Sequence, residues 1–102
     1  MVDSVVVNSI RYDIIASYIE GYMAMVDHQK CTIANNPNNH PQLFYSDILH
    51  EVVHIILQHC GFIDHHPKHE KYVVALGYGL YDFLKNNPAF VKELLESKGE
   101  EP

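Results

Sequence analysis

The chain has 102 residues, which is enough for one domain built around one hydrophobic core. Hydrophobic residues make up 47% of it and charged residues 20%, a composition typical of globular proteins rather than disordered ones. The formal net charge of −6, with only seven scattered lysine and arginine residues, argues against a nucleic-acid partner, because a phosphate backbone requires clustered positive charge.

The N-terminal segment and the hydropathy of the chain argue against secretion and against membrane insertion. Residues 1–10 contain Asp3 and lack the basic segment of a secretory signal, and no apolar run approaches the roughly 20 residues of a membrane-spanning helix. Cys31 and Cys60 are too few for the disulfide framework of a small secreted domain. We therefore expect a cytoplasmic protein with free thiols and no membrane partner.

The first 40 residues are predicted to form mainly strands, arranged as a small antiparallel sheet. β-branched residues, a turn signal at Asn8-Ser9 and alternating apolar and polar residues predict a first hairpin, and a second strand pair follows. The predicted strands cover residues 4–7, 10–15, 22–26 and 31–34. Residues 16–20 fit either a short helix or a continuation of the second strand. The Asn- and Pro-rich segment 35–41 is the clearest loop of the chain.

Helical spacing begins after this loop. Apolar residues recur at three- and four-residue intervals from 42 to 59 and Gly61 follows as a C-terminal cap, which predicts a largely buried helix. Pro67 can begin a second helix, in which Gly77 and Gly79 allow close approach to a neighbouring helix.

A third, shorter helix is predicted over residues 88–97, with its apolar side chains facing inward and a polar tail over 98–102. The inward-facing side chains are predicted to be Phe90, Val91, Leu94 and Leu95. Strands followed by helices predict the α+β class in a single domain: strands in 1–40, one helix in 41–60 and two helices in 67–97.

The segment His50-Glu51-Val52-Val53-His54 is an HExxH motif in the middle of the first predicted helix. Residues four apart lie on one helical face, so His50 and His54 can present two imidazole nitrogens to one zinc ion. Glu51 lies about 100° around the helix, where it misses the metal but reaches a metal-bound water as general base for amide hydrolysis. The alternative is a helix that exposes a polar stripe to solvent and binds no metal.

Several residues are candidates for the third zinc ligand. The long HExxHxxGxxH form is excluded, because Leu57 and Cys60 occupy the Gly and His positions. A Glu from the following helix is the other common solution, and Glu70 is the only Glu between the motif and the third predicted helix. Its alternative role is that of a first-turn carboxylate favoured by the helix dipole. A neighbouring cluster can supply the ligand, a partner of a ligand or an oxyanion donor, or can form a solvated loop: Asp64, His65, His66 and His69.

The motif helix and the helix after it resemble small phage and prophage zinc metallopeptidases of the ImmA/IrrE-like group, which are gluzincins. The likeness lies in residues 46–57, in Glu70 and in residues 75–88, where the pattern Leu-x-x-x-Leu-x-x-Asn-Pro ends the helix. The resemblance implies a minimal zincin-like fold with its sheet packed on the active-site helix. It also implies His50 and His54 as metal ligands, Glu51 as base and Glu70 as third ligand. Lys71 departs from the acidic residue common after that Glu in the family.

Two functions of different classes follow from these residues. The first is a zinc-dependent metallopeptidase that uses Zn²⁺ and Glu51 to hydrolyse peptide bonds of a protein partner, bound as an extra strand at the edge of the sheet. The resemblance implies a transcriptional repressor as one such partner, because larger members of the group cleave repressors. The second is a non-catalytic, zinc-stabilised module that binds a protein. Glu51 favours the enzyme, because a structural metal site does not require it.

Overall fold

The computed structural model describes residues 2–19, 21–38, 40–62 and 68–97. Within them, a four-stranded sheet is followed by three α-helices, which confirms the predicted α+β class. The strands are β1 (Ser4–Val7), β2 (Ile10–Ala16), β3 (Ala24–Asp27) and β4 (Thr32–Asn35). A short 3₁₀ turn (Pro41–Leu43) leads into the helices α1 (Phe44–His59), α2 (His69–Asn86) and α3 (Pro88–Glu96).

The sheet consists of two hairpins joined side by side in the order β1-β2-β4-β3. Both hairpins are antiparallel, as predicted, but the central strands β2 and β4 run parallel, with Asp13 opposite Thr32 and Ala16 opposite Asn35. The prediction of a fully antiparallel sheet was therefore wrong at its central pair. Apolar alternation identifies the buried face of a strand but not the direction of its neighbour. The chain forms the edge strand β3 before it forms β4, so β3 and the segments beside it make the long connection that a parallel pair requires.

The first hairpin is closed by a turn whose two central residues adopt the left-handed conformation. Asn8 has φ 50° and Ser9 has φ 67°, and the flanking residues Val7 and Ile10 pair directly. Positive φ at both central positions is the geometry of a type I′ turn, whose twist matches that of the strands it joins. The Asn-Ser signal in the sequence therefore marks the turn correctly.

Helix α1 lies between the sheet and α2. It contacts β1, β3 and β4, whereas α2 contacts only α1 and α3 among the described elements. The main core cluster joins one face of the sheet to α1 through Val7, Tyr12, Ile33, Phe44, Ile48 and Ile55. Burial in this cluster raises the pKa of the Tyr12 hydroxyl, and the neighbouring Cys31 raises it further. The sandwiched position gives α1 two buried faces, which agrees with the prediction of a largely buried helix.

The C-terminus of α1 is capped and tied to the first hairpin. Gly61 has φ 87°, its N–H donates to the carbonyl of Gln58, and the Phe62 N–H donates to the carbonyl of Leu57 at 2.9 Å. These are the two hydrogen bonds of a Schellman motif, which confirms the prediction of Gly61 as a cap. The last residue of the helix, His59, is hydrogen-bonded through Nε2 to the Tyr12 hydroxyl at 3.0 Å.

Only one of the two glycines of α2 contacts its neighbour closely. A Cβ atom built on Gly77 would lie 3.4 Å from the Cα of His50, whereas one on Gly79 would meet nothing within 4 Å. Close approach is therefore confirmed for Gly77 and wrong for Gly79. Pro67, proposed as the start of this helix, and the predicted polar tail over 98–102 lie outside the described residues. No helix in the described part of the chain is long and apolar enough to cross a membrane.

The prediction that α3 buries an apolar face was wrong. Phe90 is 50% exposed, Leu94 is 56% exposed and Leu95 is 79% exposed, while Val91 is half-buried. The reason is that α3 contacts α2 alone among the described elements. An amphipathic pattern identifies an apolar stripe but does not specify what covers it.

Candidate metal centre

The structure brings together three of the predicted site residues, two from α1 and one from α2. The Nε2 atom of His50 lies 2.7 Å from Oε1 of Glu70, and the Nε2 atom of His54 lies 3.1 Å from Oε2 of the same carboxylate. The two histidines are one helical turn apart, so both imidazoles point to the same side of α1. One ligand atom from each of the three residues lies within 4.8 Å of the others.

The donor atoms lie slightly closer together than the donors of a zinc site, so a small outward movement of the side chains would give the distances that zinc requires. Zinc bound tetrahedrally at about 2.0–2.1 Å from each donor places the donors roughly 3.3–3.4 Å apart. The observed separations of 2.7 and 3.1 Å are a few tenths of an ångström shorter and are hydrogen-bonding distances. Two imidazoles and one carboxylate are also a donor set that catalytic zinc sites use. The residues present therefore fit zinc.

One side of the site is open to solvent, as the exposure of the three side chains indicates. The side chains of His50 and His54 are 25% and 12% exposed, whereas that of Glu70 is 62% exposed. The open side would leave a fourth coordination position accessible, as catalytic rather than structural zinc sites require.

The packing of α2 explains why Glu70 reaches the histidines. Val73 and Gly77 lie three and seven residues after Glu70 and are both buried, so one stripe of α2 faces α1 and Glu70 begins that stripe. Gly77 contacts the backbone of His50, so the two helices are close where the site forms. Val74, the residue after Val73, is 36% exposed and lies outside this buried stripe.

Glu51 lies on α1 beside the three converging residues and is only 6% exposed. Its carboxylate is not one of the converging donor atoms in the described chain, which agrees with its predicted place outside the ligand set. It nevertheless lines the same cleft as His50, His54 and Glu70. Burial of a carboxylate is costly in a small domain, and here it occurs next to a candidate metal site.

The site opens into a cleft of about 630 Å³ between the sheet and α2. One wall is formed by residues 21–26, which include most of the edge strand β3, and the opposite wall carries Val74 and Tyr78 of α2. The volume lies within the range of about 300–1,000 Å³ that is usual for ligand-binding clefts. Three lining residues were missed by the sequence analysis: His28, Asp47 and Tyr78. Helical spacing from His50 and Glu70 could have indicated Asp47 and Tyr78, but nothing local in the sequence marks His28.

Of the other candidates for the third ligand, His69 is the one that lies among the described residues, and it does not join the converging group. His69 is 8% exposed and places its Nε2 atom 3.2 Å from Nδ1 of His54, on the nitrogen that does not face Glu70. Asp64, His65 and His66 lie outside the described residues. Cys31 and Cys60 are both free thiols, as expected, and Cys31 is half-buried whereas Cys60 is exposed.

Comparisons with protein-family models, with curated proteins and with solved structures give no match. The resemblance to the ImmA/IrrE-like group therefore stays a prediction based on the residues quoted for it. Function is therefore inferred from the geometry of the cleft itself.

Proposed function

We propose that this protein is a zinc-dependent metallopeptidase of the zincin type that hydrolyses peptide bonds of a protein partner. The observation that carries the proposal is the convergence of His50, His54 and Glu70 within 4.8 Å, at a cleft that Glu51 also lines. Two imidazoles, one ligating carboxylate and one carboxylate beside them form the set that metal-assisted amide hydrolysis uses.

Each of the four residues has a distinct role in this proposal. His50 and His54 would hold the ion through Nε2, the atoms that face Glu70, and Glu70 would hold it through its carboxylate. Zinc in such a site polarises the scissile carbonyl and lowers the pKa of a bound water towards about 7. The carboxylate of Glu51 would take a proton from the attacking water and deliver it to the nitrogen of the leaving group.

The position of β3 supports a peptide as the substrate. This strand is at the edge of the sheet, and residues 21–26 line the cleft that contains the metal ligands. An extended peptide that hydrogen-bonds to an edge strand is held by its backbone, with its side chains alternating between the two faces. Such a peptide would cross the cleft beside Glu51. Strand β4, the neighbour of β3, offers no such edge, because it is paired on both sides.

A second candidate function is a zinc-stabilised protein-binding module without activity. The observation that favours it is that, among the described elements, α2 contacts α1 and α3 but no strand, so an ion held by Glu70 and the two histidines would tie α2 to the rest of the domain. A module of this kind gains nothing from a buried carboxylate at position 51. The two functions therefore differ in what Glu51 contributes.

Metal analysis combined with one conservative substitution tests the proposal. Purified protein should contain about one equivalent of zinc, and His54→Ala should lose it. Glu51→Gln should keep the zinc and the fold but lower cleavage of a peptide library by roughly 10²–10⁴, the usual contribution of a general base. Glu93→Gln on α3 is the matched control, because it makes the same change at an exposed position outside the cleft.

The outcomes separate the two functions. Zinc binding without cleavage across a broad library, including candidate repressors, would favour the binding module. Cleavage that survives Glu51→Gln would remove Glu51 from the role of base. Protein that binds no zinc would contradict both functions.

A further inference from the structure

A hydrogen bond between His69 and His54 lies at the site, and neither the ligand set nor the base accounts for it. The Nε2 atom of His69 lies 3.2 Å from Nδ1 of His54. The centroids of the two rings are 5.2 Å apart and their planes differ by 26°. His69 is the first residue of α2 and is 8% exposed. It is therefore held against the Nδ1 edge of a candidate ligand rather than exposed to solvent.

The two ring nitrogens of His54 have different partners, and these partners determine which nitrogen carries the proton. Nε2 faces Glu70, so it is the nitrogen available to a metal ion. A ligating nitrogen must be unprotonated, so the single proton of neutral His54 must then lie on Nδ1. That N–H points at Nε2 of His69, and the hydrogen bond forms only if Nε2 of His69 accepts.

We infer that His69 is a positioning residue for the metal site: its Nε2 accepts the Nδ1–H of His54 and thereby fixes the tautomer and the ring orientation of that ligand. This inference depends on the proposed metal site and deepens it. His69 is not a ligand in this arrangement, because its Nε2 contacts the nitrogen of His54 on the side away from Glu70. Ligating histidines generally donate their second N–H to an acceptor, commonly a carboxylate or a carbonyl, and here a neutral imidazole takes that place.

His50 provides an internal comparison. In the described chain, the hydrogen-bonding partner that the structure gives its ring is Glu70, whereas His54 contacts both Glu70 and His69. The loss of His69 should therefore affect His54 selectively. A general disturbance of α2 would instead affect both histidines, because Glu70 contacts both.

The test compares two substitutions that differ in their ability to accept a hydrogen bond. His69→Leu removes the acceptor, whereas His69→Gln keeps one in its amide oxygen. Competition with a chelator should show zinc affinity weakened by about 10–100-fold in His69→Leu, the usual cost of losing such a partner, and largely recovered in His69→Gln. His40→Leu and His40→Gln, at an exposed histidine outside the cleft, are the matched controls and should bind zinc as the unmodified chain does.

A spectroscopic measurement on the unmodified chain tests the same inference without a substitution. Long-range proton–nitrogen NMR of the zinc-loaded protein should show the proton of His54 on Nδ1 and an unprotonated Nε2 in His69. Circular dichroism of each variant verifies that α2 is intact.

Three results would overturn the inference. Wild-type zinc affinity in His69→Leu would show that the contact is unimportant, and equal losses in His69→Leu and His69→Gln would show a packing role. A proton on Nε2 of His69 in the zinc-loaded protein would reverse the hydrogen bond. If the unmodified chain binds zinc in these experiments, failure concerns His69 alone, whereas a chain that binds no zinc contradicts the proposed function as well.

Discussion

Replacement of Glu70 by alanine tests the metal centre most directly, because this single carboxylate contacts both imidazoles. Its oxygens lie 2.7 Å from Nε2 of His50 and 3.1 Å from Nε2 of His54. In the metal-free protein the loss should be small. The side chain is 62% exposed, and ion pairs that are exposed to this extent contribute between zero and about 1 kcal/mol. The unfolding free energy without metal should therefore change by less than about 1 kcal/mol.

With zinc the expected loss is much larger. Structural zinc sites with four protein ligands bind with about 10–16 kcal/mol, which corresponds to roughly 2.5–4 kcal/mol for each ligand. At about 1.4 kcal/mol for each factor of ten, removal of one ligand weakens affinity by about 10²–10³. We expect the lower end for Glu70, because its carboxylate is the most exposed of the three donors. At a fixed free zinc concentration above both dissociation constants, a 100-fold loss removes about 2.7 kcal/mol of zinc-linked stability.

The assay is thermal unfolding with zinc and with a chelator, together with competition titration of the metal. For a domain of this size, the 2.7 kcal/mol corresponds to a reduction of roughly 10–20 °C in the zinc-induced increase of Tm. Glu93→Ala, which removes an exposed carboxylate of α3, should leave that increase unchanged. Glu70 is not a zinc ligand if zinc raises the Tm of Glu70→Ala and of Glu93→Ala by the same amount. The same conclusion follows if the chelator-treated Glu70→Ala protein is already destabilised by as much as the zinc-treated one.

Two further predictions concern the fold. Gly79→Ala should raise the unfolding free energy by up to about 1 kcal/mol, because alanine has the higher helix propensity. Gly77→Ala should raise it by less, because the new Cβ would lie 3.4 Å from the Cα of His50. Equal increases for the two variants in chemical denaturation would contradict the close approach of the helices. Asp27 has a lowered pKa because its carboxylate accepts hydrogen bonds from the backbone N–H groups of Lys30 and Gln29. Its contribution to folding stability is therefore present above its unfolded pKa of about 3.9 and is lost as the pH falls through the lower folded value. Asp27→Ala should therefore flatten the acid limb of Tm between about pH 2 and 5, and parallel acid limbs in the two proteins would show that this carboxylate contributes nothing.

The local features of the fold could be predicted from the sequence, whereas features set by distant neighbours could not. The Asn8-Ser9 turn and the Gly61 cap depend on the conformations of one or two residues, and both are found where the residue types place them. The parallel pairing of β2 with β4 depends on where a whole hairpin folds, which no short pattern records. The exposure of Leu94 and Leu95 has the same origin, because the pattern of α3 is amphipathic whether or not another surface covers it.

The candidate site also combines features that the local sequence predicts with features that distant neighbours determine. The distance between His50 and His54 along one helix is fixed by helical periodicity, so the motif alone predicts that they share a face. Glu70 comes from another helix, and its place depends on the buried stripe that Val73 and Gly77 form against α1. In the sequence His69 is one of several alternatives for the third ligand, and only the distance from its Nε2 to Nδ1 of His54 distinguishes a partner of a ligand from a ligand.

The place of Glu51 on α1 gives a reason to treat the cleft as functional that does not depend on the motif. Phe44, Ile48 and Ile55 belong to the core cluster shared with the sheet, and positions four, seven and eleven residues after 44 lie on one helical stripe. Position 51 is on that stripe, so the residue there lies at the sheet-facing side of the helix. A leucine at this position would extend the core, whereas a buried carboxylate weakens it. A buried carboxylate on a core-facing stripe, next to converging metal ligands and at the wall of an open cleft, is typical of a site where chemistry rather than stability determines the side chain.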